Sequence, residues 1–243
     1  MTQEVLIQQS LLKKIILFTK FRLSFLVVLS ALSGYLFAGG SDYLQILFLM
    51  LGGSLVTAAS NGANQIWEKD IDKLMARTSN RPLPQGQMSL RSAYSIVIAT
   101  LVIGTGLLYL INLKCALLGL AAFISYVFMY TPMKSKSPWA VFVGAFPGAI
   151  PPFLGAIAAT NTFGFLPGVL FFVQFTWQFP HFWAIAWVTH EDYKKAGYHL
   201  LPSASGKSKQ SAFQILLYSC LLYTSDAADD SLRVDLGGRR IIK

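Results

Sequence analysis

An all-α, polytopic bundle of transmembrane helices is predicted by three observations. Mean hydropathy is +0.52, with 54% hydrophobic and 13% charged residues, too apolar for an ordinary soluble domain. Several apolar windows approach the ~20 residues needed to cross a bilayer. Lysine and arginine gather in alternate connecting segments, as membrane topology requires. The net charge of +9 would also suit nucleic acid, but no basic groove with interleaved aromatics accompanies it, so nucleic acid is set aside.

Taken in order, residues 1–20 form a short apolar segment around Lys13 and Lys14 with no small-residue cleavage site after it. That predicts an interfacial helix leading into the first span. Seven spans are expected at 23–39, 44–66, 92–111, 115–131, 139–159, 165–188 and 211–223, from apolar run length and polar breaks. The presumed inner segments hold Lys20 and Arg22, then Lys69 to Arg91, then Lys134 and Lys136, then Lys194 to Lys209, whereas the presumed outer loops hold only Lys114. By the positive-inside rule the inner segments are cytoplasmic. Gly52-Gly53 predicts close helix packing, and Pro147, Pro151 and Pro152 a kink. Cys115 and Cys220 stand alone in apolar runs and read as packing residues. Residues 1–223 are expected to form the membrane-embedded domain. Residues 224–243 bring four aspartates and three arginines after an apolar run that covers half a bilayer, and they read as a non-native tail on a truncated chain.

The chemistry is concentrated in one polar stretch, Asn61 to Arg81, closed by Pro82-Leu83-Pro84. At 3.6 residues per turn, Asn61, Asn64, Glu68 and Asp72 share one helix face. Two carboxylates four residues apart repel by roughly 0.2–0.5 kcal/mol unless a cation lies between them. Hard oxygen ligands suit Mg²⁺, which takes one or two carboxylates and completes its shell with water and phosphate oxygens. Lys73, Arg77 and Arg81 follow at spacings of four and could grip a diphosphate. The plainer reading is a solvated loop whose acids and bases pair with one another.

Between Asp42 and Asp226 the only other acids are Glu191 and Asp192, in a second loop on the same side as the first. His181, His190 and His199 lie in or beside that loop. Ionisable groups at membrane depth mark functional sites by default. His181, after Pro180 in a span rich in Phe and Trp, reads either as a packing histidine or as a functional one. The aromatic residues of that span read as core and lipid-facing.

The run Asn61-Gly-Ala-Asn64-Gln-Ile-Trp-Glu68-Lys-Asp70-Ile-Asp72 resembles the first motif of the UbiA superfamily of intramembrane prenyltransferases. Its continuation Met75-Ala-Arg77-Thr-Ser-Asn-Arg81-Pro-Leu is similar to the branch that farnesylates protoheme IX. Tyr130-Thr-Pro-Met-Lys134, the Gly144 to Pro152 run, Trp177-Gln-Phe-Pro180-His181 and Glu191-Asp192-Tyr193-Lys-Lys-Ala-Gly197 agree with it, and the resemblance spans about residues 15–222.

The resemblance implies nine helices around a central cavity in a bacterial inner membrane, with Mg²⁺ as cofactor and farnesyl diphosphate and heme b as substrates. It implies Asn64, Glu68, Asp72, Glu191 and Asp192 as metal residues, with Lys73, Arg77, Arg81 and Lys134 on the diphosphate. Asn61, Arg77, Arg81 and His181 are its implied catalytic residues. Ionisation of the allylic C–O bond would release diphosphate, the farnesyl cation would add to a porphyrin vinyl group, and water would capture the resulting cation, giving heme O. Three departures stand out: Glu68 replaces an aspartate, Ser135 follows Lys134 where a second basic residue is common, and the last two spans are absent. An aromatic quinone precursor as acceptor, and a secondary transporter with a proton relay, are the alternatives.

Overall fold

A computed structural model describes residues 10–203 and 206–220, and every regular element among them is helical. Helix α1 (Leu11–Thr19) is capped by Ser10, whose hydroxyl accepts the Lys13 N–H. It ends at Lys20, held in the left-handed region with φ 50°. From there α2 (Phe21–Phe37) leaves at a 50° bend, so the two make one broken span. Helix α3 (Tyr43–Glu68) starts at Asp42, whose carboxylate accepts the Leu44 N–H at 2.8 Å. Helix α4 (Leu90–Ile111) stops at Asn112, which caps the next helix through the Cys115 N–H at 2.8 Å.

That next helix, α5 (Leu113–Met133), is not regular. It is α-helical to Ile124, π-helical over Ser125–Tyr130, and closes with one α turn, Thr131–Met133. The Thr131 N–H returns to the Tyr126 carbonyl, five residues back. Such insertions recur at functional sites. Helices α6 (Ala140–Thr160), α7 (Phe165–Val188) and the short α8 (His190–Lys195) follow. Residues 209–220 are also helical.

Helices α2 to α6 close a ring: α3 packs on α2 and α4, α5 on α4 and α6, and α6 returns to α2. Helix α7 packs on the outside of α6. The contacts are made by small residues, as expected where lipid supplies no hydrophobic drive between helices. A Cβ at Gly155 would run into the Ala31 carbonyl, and one at Gly34 into the Pro152 carbonyl, so α2 and α6 touch backbone to backbone. Gly52 and Gly104 do the same for α3 and α4, where a Cβ on either would lie 2.9 Å from the other's carbonyl oxygen. Gly53, predicted to share that role, instead faces a cavity. Outward-pointing Ile98, Val102, Phe172 and Val173 are exposed and suit lipid.

The first six predicted spans coincide with α2 to α7 within two residues. Four helices are each long and apolar enough to cross a membrane, and the bent α1–α2 pair makes a fifth. Helix α7 has the length, 24 residues, but Gln174, Gln178 and His181 lower its hydropathy. The seventh span is described only as residues 209–220, and the predicted tail, residues 224–243, lies outside the described residues.

Candidate active site

The polar stretch does not continue α3. The helix stops at Glu68, the chain turns at Lys69–Ile71, and Asp72–Leu74 form a single 3₁₀ turn. The continuous strip predicted by helical spacing is therefore broken between Glu68 and Asp72. A regular helix would stack the two carboxylates with no cation between them, and the break gives each its own counter-ion. Lys134 Nζ lies 2.8 Å from Glu68 Oε1, and Arg81 Nη1 lies 2.6 Å from Asp72 Oδ2. Both carboxylates are buried, Asp72 completely.

Asn64 joins this cluster. Its amide donates to Thr131 Oγ1 at 3.1 Å, and its oxygen accepts from Lys20 Nζ at 3.5 Å. Lys20 arrives from the α1–α2 corner, where it feels the charges of Glu68, Asp72, Arg81 and Lys134. The Tyr198 hydroxyl is buried beside the Glu68 carboxylate and Lys134 without closing a well-aligned hydrogen bond. The loop carrying it is hung on Lys134, whose carbonyl accepts the His199 N–H at 3.0 Å. The π-helical stretch of α5 brings Tyr130 under the Lys134 ammonium, 4.7 Å from ring centroid to Nζ.

Burial pushes the Asp72 carboxyl above the ordinary carboxylate value, against the pull of Arg81. Burial is the largest single influence on the Lys134 ammonium and works to lower it, but Glu68 together with Tyr130, Tyr126 and Tyr198 holds the lysine well above its ordinary value. Burial also raises the Tyr198 hydroxyl. At the exposed rim, the hydrogen bond from Lys73 lowers Asp70.

Several predicted residues stand elsewhere. Lys73 turns outward and pairs with Asp70 at 2.9 Å, both side chains exposed, so it does not continue a phosphate strip. Arg77 is exposed, with no ion pair among the described residues. Asn61 is spent on the α1–α2 corner, donating to the Thr19 carbonyl and Ser24 Oγ at 3.2 Å each. Glu191 is exposed on the first turn of α8, and Asp192 lies 3.8 Å from Lys195. The five predicted metal residues are thus not assembled, and no three His, Cys, Asp or Glu side chains converge among the described residues. What reaches the first loop from the second is Tyr198, whose ring meets that of Tyr193 at 5.6 Å. His181 is exposed and stacked on Trp177 at 4.4 Å. His190 and His199 line a separate cavity of about 340 Å³ with Tyr193 and Tyr198.

Asn64, Glu68 and Asp72 nonetheless fit a magnesium ion. Two carboxylates and an amide are hard oxygen donors in the number Mg²⁺ takes from protein. Asp72 Oδ1 is buried with no hydrogen-bond partner, a carboxylate oxygen that its surroundings leave unused. Lys20, Thr131 and Tyr198 belong to the cluster although motif spacing does not point to them. Lys20 has a trace in the sequence as a cation between two apolar runs and Thr131 lies within the Tyr130 to Lys134 run, but Tyr198 has no signal beyond the fold that delivers it.

The model of the UbiA prenyltransferase family matches residues 27–228. Among curated relatives, the protoheme IX farnesyltransferase of Christiangramia forsetii is 49% identical over 203 residues, covering 83% of this chain and 67% of that one. That of Cytophaga hutchinsonii is also 49% identical, over 208 residues, covering 84% and 73%. Among solved structures, a digeranylgeranylglyceryl phosphate synthase superposes with a TM-score of 0.71 at 19% identity, covering 92% of this chain and 78% of that one. A UbiA homolog from Archaeoglobus fulgidus bound to DMAPP and Mg²⁺ gives 0.68 at 20% identity, covering 86% and 75%. The helix ring, the paired carboxylates at one end of it and the match along four-fifths of its length carry one conclusion: this chain belongs to the UbiA prenyltransferase family.

Proposed function

We infer that the chain transfers the farnesyl group of farnesyl diphosphate to a vinyl group of protoheme IX, consuming water and releasing heme O and diphosphate. The observation that carries this reading is the 49% identity to protoheme IX farnesyltransferases across the region holding both polar loops. It does not favour a quinone precursor. A transporter relay is disfavoured because the buried ions sit at one end of the ring rather than at its middle.

Asn64, Glu68 and Asp72 would hold Mg²⁺. When bound, the ion supplies positive charge to the departing diphosphate, the part of the reaction that most needs it. The chain's own cations do the rest. Lys134 and Arg81 stand on the carboxylates, so they sit where phosphate oxygens would arrive beside those carboxylates. Half-buried Lys20 adds a third cation, and exposed Arg77 can close from outside with its bidentate fork. Tyr130, buried against Lys134, and half-buried Tyr126 beside it keep bulk water from the leaving group. His181 and Trp177 offer a flat, exposed surface on α7 for the porphyrin. The motif loops face the cytoplasm, in line with the lysine and arginine bias.

Purified chain incubated with heme b, farnesyl diphosphate and Mg²⁺ should yield the mass of heme O. Asp72→Asn should abolish that product and the Mg²⁺-dependent binding of inorganic diphosphate together. Full turnover in this variant would remove Asp72 from the site.

A further inference from the structure

The ring of α2 to α6 encloses an apolar cavity of about 50 Å³, lined among others by Val28, Leu49, Gly53, Val56, Leu108 and Leu154. Nothing in the ion cluster uses it. Its position relative to that cluster is fixed by α3. Gly53 and Asn64 are eleven residues apart, three turns, so they share a face and are separated by about 16 Å along the axis. Thr57 lies between them on that face. Its hydroxyl donates to the Gly53 carbonyl at 2.8 Å, so the polar atom is already used.

A farnesyl chain has twelve carbons in line. With single bonds of about 1.5 Å in a zigzag, it reaches about 14 Å. A chain whose diphosphate lies at Asn64 and Glu68 and which runs along α3 therefore ends beside Gly53. In the measure by which a 150 Å³ cavity takes a benzene ring, about 50 Å³ holds about two carbons. That is the room of two terminal methyls, not of another five-carbon unit. One turn beyond Gly53, Leu49 closes the face, completely buried, with Leu108 and Leu154 beside it.

We propose that this cavity seats the end of the prenyl chain, and that Leu49, backed by Leu108 and Leu154, is the stop that sets the donor at three isoprene units. The proposal rests on the reading that a prenyl diphosphate binds with its head at Asn64, Glu68 and Asp72. It assigns chain-length selection to residues far from the polar motifs.

The test compares binding of geranyl, farnesyl, geranylgeranyl and inorganic diphosphate to the full chain with Mg²⁺. A Cβ at Gly53 would meet Val28 Cγ2 at an ordinary 3.4 Å, so Gly53→Val is compatible with the backbone and fills the cavity. It should weaken farnesyl diphosphate about tenfold relative to geranyl diphosphate. Leu49→Ala should strengthen geranylgeranyl diphosphate about tenfold relative to farnesyl diphosphate. Inorganic diphosphate should bind both variants as it binds the parent. If Leu49→Ala does not fold, Gly53→Val decides alone. Ratios moved by less than about twofold, with inorganic diphosphate still bound, would overturn the stop while leaving the head site standing. A parent chain that binds neither farnesyl nor inorganic diphosphate would overturn both.

Discussion

Lys73 and Arg81 are both cations four residues from Arg77, yet burial gives them opposite weights. Arg81 pairs with a carboxylate that has no exposed surface and whose other oxygen is unpartnered. Removing one member of a buried pair costs about 3–5 kcal/mol, because the remaining charge is stranded. Arg81→Met should therefore lower the melting temperature in detergent sharply and eliminate inorganic diphosphate binding. Lys73 pairs with Asp70 where water screens both. Lys73→Met should leave both measurements unchanged, and a loss of diphosphate binding there would return Lys73 to the site. Spacing alone could not separate the two. It counts residues along an assumed helix, whereas the real path is set by partners from elsewhere, Lys134 at the end of α5 above all. Glu68 and Asp72 were legible because acids are so scarce in this chain, Asn64 and Arg81 because they continue the same spacing, and Lys134 only through the family resemblance. The outward turn of Lys73 and the corner role of Asn61 were not, since each depends on how the chain folds around it rather than on its spacing.

Most of the architecture was legible at the level of helices, because runs of apolar residues with polar breaks leave few choices of boundary in a bilayer. What apolar runs do not encode is which faces touch. Helix α6 meets α2 through Gly34 and Gly155 with no side chain between, and a wider residue must part the helices. Gly155→Ala should destabilise the chain by about 1–3 kcal/mol, seen as a lower melting temperature. Gly106, in α4, is exposed, and a methyl group added there would meet nothing within 4 Å. Gly106→Ala should change stability by less than about 1 kcal/mol, in the stabilising direction if at all. Equal losses in the two variants would mean that glycine serves helix flexibility here rather than close approach.

Across the whole molecule, the ends of α2, α3, α5 and α7 nearest the ion cluster lie together, and the Asn161–Gly164 turn lies at the far ends of α6 and α7. The proposed orientation, from the lysine and arginine bias, has the cluster facing the inside of the cell. With Cys220, the exposed cysteine, changed to Ser, Thr162→Cys should react with an impermeant maleimide in intact cells. Asn80→Cys should react only in inside-out vesicles. The reverse pattern would invert the topology.

The π-helical stretch of α5 makes this site depend on how the backbone winds as well as on side chains. A π turn carries one residue more than an α turn over the same arc, so loss of one residue between Ser125 and Tyr130 would let α5 close into a regular helix, with Cys115, Gly119 and Phe123 keeping their seats and Lys134 still facing Glu68. A residue inserted in the regular part of α5, before Ile124, meets no such slack. Everything after it would turn by about 100° and advance by about 1.5 Å. Lys134 would then swing away from Glu68 without having been mutated, and a comparison of side chains alone would miss it.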